Sequence, residues 1–454
     1  MIVMNLAGQC RMQENLLQPR DDSRGKQMHP DDNGAVSRVL FAPLLICAAL
    51  LLLSPAAAFS QAKNTCIACH SQLDDPLHVN PDEYAAGIHA QKGITCVSCH
   101  GGDPTADDMD KAMSKAAGFK GKPERKAIPA FCAKCHADSA YMRGFDPSLR
   151  TDQLAQYLTS VHGKMLAKGD DKVAVCVDCH GVHDIMPPND PRAHVYPTNV
   201  ATTCSRCHAD AAYMKPYKIP TDQFALYNSS VHHAALIDRG DLSAPTCTTC
   251  HGSHGAAPPG VKSVVNVCST CHVFQAQLFD SSPHKEAFDS LGFPGCITCH
   301  SNHGIQHPTD AMIGTGDGAV CLKCHSAGDP GFEAAGAMHD QLVNLDSTIA
   351  RSDAILNRAE LYGMEVAQPK LQLADARDDL MKARVAIHSV QTAQVDVDVQ
   401  ASMKVAQQTY QAGLAALAER SYRRKGLFVS LGISLLVLIG IAFLIRKLET
   451  PSHE

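Results

Sequence analysis

Nine times the chain reads Cys-x-x-Cys-His, and these copies use eighteen of its twenty cysteines. Two thiols at that spacing, followed at once by an imidazole, suit thioether attachment of a haem through its vinyl groups, with the histidine as proximal iron ligand. The thiols are Cys66 and Cys69, Cys96 and Cys99, Cys132 and Cys135, Cys176 and Cys179, Cys204 and Cys207, Cys247 and Cys250, Cys268 and Cys271, Cys296 and Cys299, and Cys321 and Cys324. The matching proximal histidines are His70, His100, His136, His180, His208, His251, His272, His300 and His325. Zinc ribbons and thioredoxin-type sites also use Cys-x-x-Cys, but neither needs histidine directly after the second cysteine. All nine pairs have it, so the motif predicts nine covalently attached c-type haems. Cys10 and Cys47 precede the expected mature chain and need no role.

A haem iron has a second axial position, and the repeat shows where its ligands are expected. Each unit reads as a motif, a spacer with a histidine after small residues, and a second motif. Units begin at Cys66, Cys132, Cys204 and Cys268, and a half unit, Cys321 to His325, closes the array. Histidines at the matching spacer position, His89, His162, His232, His284 and His339, are the leading distal candidates. His183, His254 and His303 stand three residues after a motif histidine, too near it to reach across the same haem, so each is expected to ligate a neighbouring one. His78 completes the candidate set. His388 reads more readily as a helix-surface histidine than as a ligand closing the array from outside. Met142 and Met214 follow two first-type motifs at matched spacing and are expected to pack on the haem or helix.

The elements that position these groups follow from composition. The haem part, 61–340, carries one motif per roughly thirty residues. Tryptophan is absent and aromatics are 5%, which fits porphyrin rings supplying the large flat apolar surfaces. The fold class is mainly α with extensive irregular loops, built from short helices and Pro- and Gly-rich connections. Residues 1–60 read as a signal peptide with a long polar n-region, its apolar run at Val39 to Leu53 followed by Ala56-Ala57-Ala58. Residues 341–425 are rich in Ala, Leu, Gln, Glu, Lys and Arg and read as a stalk of two long helices broken at Pro369. Val395 to Val399 alternates like a strand but is too short to overrule its surroundings. Residues 426–446 hold Leu427 to Ile445, an uncharged apolar run that as a helix spans about 28 Å and reads as one transmembrane anchor, leaving 447–454 as a short cytoplasmic tail. Arg420, Arg423, Arg424 and Lys425 oppose this orientation by the positive-inside rule. A cleaved signal that commits the haem part to export overrules it.

The nine motifs, with the Ser-Val-His and Cys-His-Gly-x-His patterns around Val161, Val231, Gly181 and Gly252, resemble periplasmic multihaem cytochromes c of the broad cytochrome c3, c554 and pentahaem quinol-dehydrogenase group. The resemblance covers about 66 to 340 and implies stacked haem pairs with bis-histidine, low-spin iron acting as an electron wire. The quinol-dehydrogenase members carry their anchor at the N-terminus, whereas here it lies at the C-terminus. The expected function is electron transfer at the periplasmic face of a bacterial inner membrane, from a quinol-oxidising membrane partner to periplasmic redox carriers or a terminal reductase. No catalytic residue is expected. The alternative is a reductase of the nitrite, hydroxylamine or tetrathionate type with one open haem. The net charge of −6, deepened by propionates, suits docking to basic patches on a partner. Nothing points to nucleic acid, and the helical stalk offers a surface for oligomer formation.

Overall fold

The computed structural model describes residues 64–257 and 266–449. The expected signal peptide with Cys10, Cys47 and His29, the loop residues 258–260, and the C-terminal residues with His453 lie outside the described residues. Among the described residues all regular structure is helical. In the haem part the motifs sit on short helices. Several run from first cysteine to histidine, as in Cys96–His100, Cys176–His180 and Cys247–His251. The third and fifth motifs instead close longer helices, Ile128–His136 and Pro197–His208. Each of these carries a proline in its first turn, where a missing N–H has no helical partner to lose. Hydrophobic side chains supply little packing here. Tyr157, Leu166, Val173 and Val175 form one small buried cluster, and Ala235, Leu236 and Ala244 another.

Two local devices aim the non-motif histidines. Ser160, Ser230 and Ser282 are buried N-cap residues, so that His162, His232 and His284 fall in the first turn of the following helix. The hydroxyls of Ser160 and Ser230 accept from the N–H of Gly163 at 2.9 Å and His233 at 3.2 Å. Gly87 caps the turn that carries His89. After the second motif of each unit the chain reverses through a left-handed residue: Gly101 at φ +69°, Gly181 at +81°, Gly252 at +83° and Ser301 at +65°. The reversal sends His183, His254 and His303 away from their own motif histidines. At Gly181 a Cβ would stand 2.3 Å from Asp184 Oδ1, so a side chain there would have to displace that carboxylate. Ser301 holds the same turn with a side chain present.

A third repeated feature is an aromatic residue five positions before four of the five spacer histidines: Tyr84, Tyr157, Tyr227 and Phe279. The tyrosine hydroxyls donate to the carbonyls of Ile94 at 3.3 Å, Ala174 at 2.9 Å and Pro245 at 3.0 Å. Each of those carbonyls lies two residues before the second motif of its unit. The bond ties the spacer helix to that motif. Phe279 lacks the hydroxyl and packs instead against Gly295, its Cε1 3.3 Å from where a Cβ would be.

The tail differs from the expectation of two helices broken at Pro369. Three helices pack together: α1 (Pro330–Leu361), α2 (Ala367–Ala386) and α3 (Thr392–Glu449). The expected boundary at 340 therefore falls inside α1. Pro369 is the third residue of α2, where no preceding helical turn exists for its ring to strike. The chain breaks instead around Gly363, at φ +75°, and at Val390, at φ +48°. Val395 to Val399 is helical, with both terminal valines buried four residues apart on one face of α3. Leu342, Leu345, Leu356 and Leu373 are fully buried at the centre of the bundle.

Helices α1 and α3 run parallel, with α2 returning between them. Gln341 Nε2 donates to Asp396 Oδ1 at 3.0 Å, and further along Ser352 Oγ donates to the Ala406 carbonyl at 2.7 Å. At the far end the Arg420 guanidinium lies 3.5 Å over the Tyr362 ring. The approach is closest at Gly413, where a Cβ would meet Ile355 Cγ2 at 2.6 Å. Beyond the bundle α3 continues without a break through Leu427 to Ile445. This stretch is long and apolar enough to cross a membrane, and none of it is buried.

Two substitutions test this account. Leu356→Ala is expected to lower bundle stability by about 3 kcal/mol, because a fully buried leucine leaves a cavity, read as a lower Tm of the holoprotein by far-UV circular dichroism. Ser301→Gly is expected to raise stability by about 1 kcal/mol by relieving the left-handed side-chain penalty; an unchanged or lower Tm would contradict that role for the turn.

Candidate functional site

Two imidazole nitrogens, each about 2 Å from one shared metal, put their ring centres about 6 Å apart. Eight motif histidines face a histidine from outside the motifs across such a gap. His136 faces His89 at 6.0 Å, His208 faces His162 at 6.2 Å, His272 faces His232 at 6.4 Å and His325 faces His284 at 5.9 Å. In these four the spacer histidine of one unit reaches forward to the first motif of the next. His100 faces His183 at 6.4 Å, His180 faces His254 at 6.0 Å and His251 faces His303 at 6.1 Å. Here the histidine after a second motif reaches back to the second motif of the preceding unit. His300 faces His388 at 6.0 Å with planes 19° apart.

His388 is therefore placed otherwise than the sequence suggested. It occupies the short turn Ile387–Ser389 between α2 and α3 rather than a helix surface, and its Nδ1 lies 2.9 Å from the Val385 carbonyl. Seven of the nine candidate distal histidines are brought against a motif histidine. His78 and His339 are not, among the described residues. His339 lies within α1 rather than behind an N-cap, its Nδ1 3.3 Å from Asp340 Oδ1. It thus lacks the local geometry that aims His162, His232 and His284. Met142 and Met214 are buried in the protein.

The donors suit iron in their protonation state. Burial, and after it the facing imidazole, holds His89, His162, His183, His232, His284 and His303 below the usual histidine range. His180 is pushed down to about 4, by burial first and then by His254. Neutral rings at physiological pH have a lone pair to give. Several motif rings are also oriented from behind. His100 Nδ1 lies 3.0 Å from the Gly121 carbonyl, His70 Nδ1 2.9 Å from that of Leu77, and His325 Nδ1 3.0 Å from Asp329 Oδ1, which leaves Nε2 for a metal. Beside the eighth motif a cavity of about 340 Å³ is lined by Cys299, His300, Gln306, Met312 and Lys323. The residues present fit covalently held haems.

Several motifs also lie beside their neighbours in sequence. Within units the first thiols of both motifs lie near enough to shift one another's protonation: Cys66 with Cys96, Cys132 with Cys176, Cys204 with Cys247, and Cys268 with Cys296. At two of the four junctions between units a hydrogen bond runs from the residue before the second cysteine. Arg206, in the fifth motif, donates to the Asp178 carbonyl in the fourth at 2.9 Å, and Lys323, in the ninth, to the Thr298 carbonyl in the eighth at 3.3 Å. Arg125, just before the third motif helix, bridges Asp178 at 2.6 Å and the Val173 carbonyl at 2.9 Å. Sequence reading gave no sign of these contacts, because basic residues inside a motif look like ordinary surface charge.

Comparisons with known proteins agree with this chemistry. Residues 88–209 match the cytochrome c3 family, and residues 292–329 match the doubled CXXCH motif family. A C-type polyheme cytochrome, OmcC, of Geobacter sulfurreducens is 23% identical over 223 residues, which is 43% of this chain. The match spans 27% of that relative's length. No solved structure matches the chain. The attachment motifs, the imidazole pairs and these two family matches together identify the chain as a multihaem c-type cytochrome with covalently bound c-type haems.

Proposed function

We propose that this cytochrome carries nine haems and conducts electrons along them between the ninth motif, beside the start of α1, and the first, at His70. The observation that carries the reading is the set of eight imidazole pairs at the width of one shared iron. In this reading Cys66 through Cys324 of the nine motifs hold the porphyrins by thioethers. The motif histidines are the proximal ligands. His89, His162, His183, His232, His254, His284, His303 and His388 are distal ligands. An iron held by two imidazoles changes oxidation state with little rearrangement and offers no place for substrate, which suits a carrier. The ordered motif contacts support conduction in sequence order, from the ninth haem beside α1 to the first.

The reading places the haem domain in the periplasm, held at the inner membrane by the apolar end of α3. Arg420, Arg423, Arg424 and Lys425 ahead of that stretch oppose this orientation by the positive-inside rule, and export of the haem part behind a cleaved signal overrules them in this reading. Electrons would come from a quinol-oxidising membrane partner and leave to periplasmic carriers or a terminal reductase. The formal charge of −6 favours docking through basic patches on a soluble partner.

Intact-mass measurement of the purified holoprotein is expected to count nine haems. His388→Ala is expected to convert one low-spin haem to high spin in the low-temperature EPR spectrum, whereas His233→Ala, whose ring stands edge-on to Tyr227, leaves the spectrum unchanged. An unaltered spectrum for His388→Ala would sink the proposed ligand set.

A further inference from the structure

One backbone hydrogen bond recurs where the units meet. The Ile88 N–H donates to the Ile185 carbonyl at 2.8 Å, the Val161 N–H to that of Ala256 at 3.2 Å, and the Val231 N–H to that of Ile305 at 2.9 Å. Each donor stands one residue before a spacer histidine, His89, His162 or His232, and each acceptor two residues after a back-reaching one, His183, His254 or His303. The bond therefore ties together the two histidines that face the adjoining motifs of neighbouring units. At the fourth junction the matched donor position is Pro283, which has no N–H to give. The histidine that faces the eighth motif is His388, which comes from the tail.

A side-chain joint lies at that junction instead. Arg384, in the last turn of α2 and four residues before His388, forks onto Asp310, ten residues beyond His300. Its Nε donates to Oδ1 at 2.9 Å and its Nη2 to Oδ2 at 2.7 Å. Resting on the ligand set proposed above, we propose that Arg384 and Asp310 are positioning residues for the eighth haem, seating the tail's histidine opposite His300 as the backbone bond seats His183, His254 and His303. A fully exposed ion pair would set little, but these side chains are only 33% and 18% exposed. A forked guanidinium–carboxylate contact fixes direction as well as distance. Asp346 of α1 lies 3.6 Å from the same Nη2 and holds the guanidinium from a second helix. The segment that carries Asp310 is fixed on both sides: Met312 lines the cavity beside His300, and Ile313 packs on the apolar centre of the bundle. Helix Val273–Asp280 also packs against α2 and the His388 turn. Loss of the ion pair therefore loosens the seat without releasing the bundle.

The test is low-temperature EPR of the oxidised full-length holoprotein in detergent. Arg384→Ala and Asp310→Asn are each expected to add a high-spin ferric signal to the native spectrum, smaller than the one His388→Ala adds, and added imidazole should return it to low spin. The control is Arg377→Ala, which removes an ion pair to Asp353 at 2.6 Å between α2 and α1 without touching the haem part; it is expected to leave the spectrum as it was. Native spectra from both Arg384→Ala and Asp310→Asn, beside a high-spin signal from His388→Ala, would overturn the positioning role alone. An equal signal from Arg377→Ala would also overturn it, by showing that any weakening of the bundle releases the ligand. A native spectrum from His388→Ala would instead overturn the ligand set, so the two failures are distinguishable.

Discussion

The haem part is organised around pairs of histidine rings whose centres lie 5.9 to 6.4 Å apart. Those gaps are spanned between units rather than within them. A histidine set by the serine cap of one unit meets the motif of the next, and a histidine thrown outward by a left-handed turn meets the motif of the one before. With only two small hydrophobic clusters among the described haem-part residues, side-chain packing alone is a weak source of cohesion. In the reading adopted here the coordinate bonds and porphyrin faces replace it, so that folding and cofactor loading are one process.

Much of this was legible in the residues. The attachment motifs declare themselves by type and spacing, and the repeat marks His89, His162, His232 and His284 because a pairing repeated in space leaves a histidine repeated in sequence. His339 and His388 show where that logic ends. Position within a repeat could not reveal that the fifth spacer had become the interior of a long helix, with no cap to aim a ring. Nor could it reveal that His388, distant in sequence, stands where a further unit would have supplied its histidine. The tyrosine ties from Tyr84, Tyr157 and Tyr227 were also in view as a pattern, but their target is a backbone carbonyl, which no side-chain pattern announces.

The helical tail was legible in kind and misjudged in count. Composition reads as helix throughout, and proline is the usual mark of a break. Pro369 falls where the ring does no harm, and the turns form at Gly363 and Val390. The third helix exists because α1 and α3 each present a buried stripe, Leu342, Leu345 and Leu356 on one and Val395, Val399 and Ala406 on the other. The return helix α2 adds Leu373, Ala376 and Leu380 to the same centre.

Continuity of α3 from the bundle into its apolar end has a consequence for how current can enter. Thr392, next to the His388 turn, begins the helix, and Leu427 begins the apolar stretch. At 1.5 Å per residue the intervening segment rises about 50 Å. The eighth and ninth motifs meet the bundle at its end away from the apolar stretch, so the stalk acts as an insulating mast. Tunnelling dies away exponentially with distance and does not cross such a gap in one hop. On the proposed reading, a donor dissolved in the lipid phase would lie about 50 Å from the eighth and ninth motifs, and electrons would reach these two by way of a partner that stands as tall as the bundle.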